Sequence, residues 1–135
     1  MSHQSRAVAD SEKITINLGV VDLGQIDLLV QEGFYSNRSD LIRTAIRNQL
    51  ATHGEALRHT VARRTLIVGL QDYGRRELEA ARDAGQCLRI RALGLVRIAE
   101  DVTPELALET IESIAVLGVL QASSKVKAAL ADRIH

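Results

Sequence analysis

The chain has 135 residues, and its 17 Lys and Arg balance 17 Asp and Glu, so the formal charge is zero. That length holds one ordinary domain or two small ones, and an apolar share of 46% excludes bulk disorder. With aromatics at 2% any core must come from Leu, Ile, Val and Ala, and a single cysteine, Cys87, excludes an intramolecular disulfide framework.

Residues 1–12 are polar and read as a flexible arm. No apolar run approaches the ~18 residues that cross a bilayer, and residues 1–13 lack a signal-type apolar stretch, so a cytoplasmic protein with no membrane partner is the expectation. Residues 13–18 (KITINL) alternate strictly: Ile14, Ile16 and Leu18 fall on one side, Lys13, Thr15 and Asn17 on the other. That is the period of a half-buried strand. From Val21 to Glu32 the apolar residues Val21, Leu23, Ile26, Leu29 and Val30 recur near helical spacing, and Gly33 follows as a stop. Ser36 and Asn37 offer N-cap side chains for a second helix from about Asn37 to Thr52. Its apolar face carries Leu41, Ile42, Ala45, Ile46 and Leu50, with Arg43 and Arg47 outside it.

One six-residue strand is not stable alone, because its backbone groups need a ladder partner. No second strand lies nearby in the sequence. The economical solution pairs the segment with its copy in a second chain across a two-fold axis. Ile14, Ile16, Leu18, Leu41, Ile42 and Ile46 of both chains then form the dimer core.

The order K-I-T-I-N-L, first helix, G-F-Y-S-N-R-S-D-L-I-R-T-A-I, second helix resembles the ribbon-helix-helix DNA-binding proteins of the Arc/MetJ/CopG type over residues about 12–52. Gly19 departs from the pattern, since many relatives carry Pro after the strand. The resemblance implies an intertwined dimer whose two-stranded antiparallel ribbon enters the major groove of double-stranded DNA, where base pairs present distinct donor and acceptor patterns. Lys13, Thr15 and Asn17 would then contact bases, and Ser36, Asn37 and Arg38 at the second helix start would hold a phosphate, joined by Arg6 from the arm. Residues 1–50 carry Arg6, Lys13, Arg38, Arg43 and Arg47 against Asp10, Glu12, Asp22, Asp27, Glu32 and Asp40. Such a neutral module depends on base contacts more than on bulk charge.

After a connector at 53–64 the grammar changes. Val68-Gly69-Leu70, Leu93-Gly94-Leu95 and Leu117-Gly118-Val119 recur 25 and then 24 residues apart. Each glycine follows a β-prone segment (T-L-I-V, L-R-I-R-A-L, S-I-A-V-L), and helical stretches come later. Val102 and Leu106 match Val126 and Leu130 in offset. Thr103-Pro104 marks one helix start and Ser123 or Ser124 another. Residues 65–134 therefore read as three strand, turn at Gly, helix units, a short solenoid-like α/β repeat with right-handed crossovers. The glycines are expected to permit a bend or a close backbone approach. The chain as a whole falls in the α+β class.

Chemistry-bearing clusters are sparse. His3, His53, His59 and His135 lack metal-ligand spacing, and Cys87 has no partner base and reads as a buried apolar residue. No nucleophile elbow, dinucleotide or phosphate-loop signature occurs. The expectation is no enzyme, no metal and no cofactor. The sequence is read as a sequence-specific dimeric DNA-binding protein, a transcriptional repressor associated with the nucleoid, whose residues 65–134 drive higher homo-oligomerisation or receive a protein partner. Two alternatives stand beside it: an antitoxin with a C-terminal toxin-binding region, and a polymer-forming DNA-organising protein.

Overall fold

A computed structural model describes residues 11–135, which divide into two compact units, Ser11–Thr60 and Val61–His135. In the first unit, residues 11–19 belong to no helix or strand, so the half-buried strand expected at Lys13–Leu18 is not formed: within one chain it has no ladder partner. Helix α1 (Val20–Gln31) and helix α2 (Arg38–Thr52) follow and pack on each other. Helix α1 ends because Gly33 takes φ +84°, a left-handed conformation open to glycine. The Gly33 N–H then donates to the Val30 carbonyl and the Phe34 N–H to that of Leu29, which satisfies two carbonyls at the helix end. Helix α2 begins at Asn37, whose side-chain oxygen accepts the Asp40 N–H at 2.8 Å. The stretch expected as a connector is mostly helix α3 (Gly54–Arg63).

The second unit contains strand β1 (Ile67–Tyr73), helix α4 (Arg75–Asp83), strand β2 (Leu88–Ile98), helix α5 (Pro104–Thr110), strand β3 (Ile111–Gln121) and helix α6 (Ser124–Ala129), closed by a 3-10 turn at Ala131–Arg133. The strands form one parallel sheet in the order β1-β2-β3. Its core joins Leu78 of α4 and Leu106 and Ala107 of α5 with Val126 of α6, Leu130 and the strand residues Ile90, Ala92, Val96, Ile98, Ile111 and Ile114. All are aliphatic, as a composition so poor in aromatics requires. Thr103 accepts the Leu106 N–H and Ser123 the Val126 N–H, so both expected caps are in place, with Pro104 at the first helical position. The offset pairs Val102 with Val126 and Leu106 with Leu130 are all buried.

The glycines behave differently from a turn that ends a strand. Gly69, Gly94 and Gly118 lie in mid-strand, paired in one register row across the sheet, with φ of +121°, +138° and +126°. Each strand runs on for three or four residues beyond its glycine, to Tyr73, Ile98 and Gln121. A Cβ on Gly94 would strike the Gly69 carbonyl, and one on Gly118 would strike the Gly94 carbonyl. The close backbone approach expected of these residues is therefore present, and all three strands deform together without breaking the sheet. Cys87 also differs from expectation: it lies in the segment before β2 and is exposed.

Candidate nucleic-acid interface

The segment Lys13–Leu18 is exposed at every position and has no strand partner among the described residues. Ile14 is 71% and Ile16 59% exposed, a costly arrangement for side chains of this size in water. None of α1, α2 and α3 contains a buried residue. Of the expected dimer core, Leu41 and Ile42 are half-buried, whereas Ile14, Ile16, Leu18 and Ile46 stay exposed. Val21, Leu28 and Phe34 add further exposed apolar surface on the same unit. A segment and helices that bury so little within one chain cannot offset the conformational entropy of ordering them. They need a second surface.

At the start of α2 the structure brings Ser36, Asn37 and Arg38 together, but each has local business. The Ser36 N–H donates to Asp40 Oδ2 at 3.0 Å, and Asn37 Oδ1 holds the Asp40 N–H. Arg38 makes a two-pronged bond with Asp27 of α1: Nε to Oδ1 at 2.7 Å and Nη2 to Oδ2 at 2.8 Å. This hydrogen-bonded guanidinium holds the Asp27 carboxyl below the usual carboxylate range, and Asp27 raises Arg38 in turn. Both side chains are about half exposed, so the pair fixes geometry more than it adds stability. It ties the start of α2 to α1 through parallel donors matched to a carboxylate. Asp27 and Asp40 are the residues that sequence reasoning missed here. The signal for Asp27 was available as an acid eleven positions before Arg38; it was invisible while each helix was considered separately.

The Asp40 carboxylate occupies the N-terminal end of α2, where an unpaired helix start would attract an anion. The backbone N–H groups of Asn37, Arg38 and Ser39 remain outside these side-chain bonds among the described residues. Arg43 and Arg47 are exposed on α2. Arg6, expected as a phosphate contact, lies outside the described residues. No group of three or more His, Cys, Asp or Glu that could hold a metal ion occurs among the described residues. Among the described residues no helix is long and apolar enough to cross a membrane.

An exposed segment of alternating polar and apolar residues is followed by two helices that pack on each other without a fully buried residue. The model of the Ribbon-Helix-Helix transcriptional regulator family matches residues 9–127, nearly the whole chain. The chain belongs to this family, and as a member it is a DNA-binding, dimerising transcriptional regulator. No curated protein and no solved structure matches it.

Proposed function

We propose that the protein is a sequence-specific repressor in which Lys13–Leu18 of two chains pair as an antiparallel ribbon and enter the major groove. Lys13, Thr15 and Asn17 meet base edges: Lys suits guanine, Asn pairs with adenine, and Thr bonds or touches a thymine methyl. Ile14, Ile16 and Leu18 face inward with Leu41, Ile42 and Ile46 of both chains. The N–H groups at Asn37, Arg38 and Ser39 receive a phosphate, aided by Arg6 and by the free edge of the Arg38 guanidinium. Residues 65–134 act as a solenoid-like assembly domain that raises the local concentration of reading heads on nucleoid DNA.

The observation that carries this reading is the exposed, partnerless alternation of Lys13–Leu18 in a chain of this family. The independent aliphatic core of the second unit supports an assembly role over a toxin-binding tail, which would gain its order from its partner. Selection from a random duplex library, followed by binding measurements on the selected site, tests it. The triple substitution Lys13→Ala, Thr15→Ala, Asn17→Ala should abolish site preference, at ~1–3 kcal/mol per good base contact, while the dimer persists. Unchanged preference in a folded dimer would remove the ribbon from the groove.

A further inference from the structure

The sheet of the second unit has two faces, and its helices cover one. Ile90, Ala92, Val96, Ile98 and Ile114 point into the core with α4, α5 and α6. The alternate residues form the other face. Arg97 marks it, because its guanidinium reaches Asp72 on one neighbour strand and Gln121 on the other, the three residues being register partners. Next to that row stand Leu70, Leu95 and Val119, and then Val68, Leu93 and Leu117. Val68 is 64% and Leu117 47% exposed. Leu95 is already buried and Leu93 and Val119 are half-buried, but Val68, Leu70 and Leu117 stay exposed; since parallel sheets are ordinarily covered on both faces, the layer is unfinished.

We infer that this face packs against the same face of the second chain within the dimer, sheet on sheet. Three strands about 4.8 Å apart and two rows deep give a patch of roughly 200–300 Å², far below the ~800 Å² per partner of a free-standing interface. The patch is too small to capture an untethered protein. It is large enough for a partner already held nearby. A family dimer supplies one such partner, and only Arg64–Leu66 separate α3 from β1, so the second copy's sheet is present at an effective concentration near millimolar. Charge selects the arrangement. Asp72 and Arg97 pair at one end of the face, while Arg91 at the other end bonds the Thr65 hydroxyl and has no acid partner among the described residues. A two-fold axis perpendicular to the strands lays each Arg91 opposite the partner's Arg97, whose charge the paired Asp72 balances; an axis along the strands would stack the two unpaired Arg91 side chains on each other. This inference rests on the reading of residues 65–134 as an assembly domain, and gives that domain a surface and an occupant.

The test uses the full chain as a mixed dimer, one copy carrying 13C-labelled Leu and Val methyls and the other unlabelled. Isotope-filtered NOEs should connect methyls of Val68, Leu93, Leu117 and Val119 with the opposite chain. Leu117→Asp should erase them while light scattering still reports a dimer; Leu108→Asp, on the exposed side of α5, should leave them intact. A dimer with no such interchain NOEs overturns the inference and leaves the family dimer standing. NOEs seen only in a larger species that dilutes back to dimer overturn pairing within the dimer. A monomeric chain at all concentrations would refute the ribbon-sharing reading itself.

Discussion

Replacing Gly94 by alanine probes the feature that shapes the second unit. Gly94 sits in the central strand at φ +138°, a region that L side chains rarely adopt, and forcing alanine there costs ~1–3 kcal/mol. Its new Cβ would also meet the Gly69 carbonyl, which is backbone and cannot rotate away. Strands β1 and β2 must separate at that point, losing one or two ladder bonds at ~0.5–1.5 kcal/mol each. The sum is a destabilisation of about 1.5–6 kcal/mol, a large share of what holds a small domain. Gly118→Ala meets the Gly94 carbonyl and should match it. Gly69→Ala carries the same kind of strain at φ +121° but its Cβ enters open space, so it should cost only the first part, ~1–3 kcal/mol. Urea unfolding of the full chain by circular dichroism, with amide exchange along β2 and β3, reads the three variants. A Gly94→Ala protein within ~0.5 kcal/mol of the parent, or a Gly69→Ala protein equally damaged, would refute the ladder of close approaches.

Ile16→Asp should prevent the first unit from folding, because it buries an unpaired carboxylate in the shared core; amide exchange should report open residues 11–60 beside a still protected β2. Asn37→Ala removes the oxygen that accepts the Asp40 N–H and should lower the stability of the dimer by ~1 kcal/mol in thermal unfolding. Asp27 should titrate below its unfolded value of ~3.9, and Arg38→Gln should return it toward that value in a carboxyl-carbon NMR titration. Since its folded pKa is lowered, whatever stability the pair adds is present above the unfolded value and fades as pH falls through the folded one. An Asp27 that titrates identically in both proteins would disprove the pairing.

Much of the first unit was legible because its signals are local. Helical spacing after Val20, Gly33 as a stop and Asn37 as a cap each act within a few residues, whereas the strand expected of KITINL needs a ladder partner and does not form within one chain. The same holds for Thr103-Pro104 and Ser123 in the second unit. What escaped is what depends on neighbours in space. The 24–25-residue spacing located the three glycines, but glycine in isolation signals a strand end. Only their common register, with each backbone against the next, explains why β1, β2 and β3 continue through them. The stretch expected as a connector at 53–64 is instead mostly helix, the Leu57 N–H donating to the His53 carbonyl. Cys87 was expected inside because free cysteines generally are; its place in the segment between α4 and β2 decides otherwise. The Asp27–Arg38 bond joins two helices and belongs to neither pattern alone.

A cysteine scan through residues 13–18, in a Cys87→Ser chain, tests the shared ribbon most directly. In an antiparallel pair on a two-fold axis, the residue nearest the axis faces its own copy at about 4.5–5.5 Å between Cα atoms, within disulfide reach. Oxidation should give a sharp maximum of interchain disulfide at Thr15→Cys or Ile16→Cys, falling toward both ends of the segment. Equally slow cross-linking at all six positions would contradict the intermolecular strand, and with it the means by which this chain reads DNA.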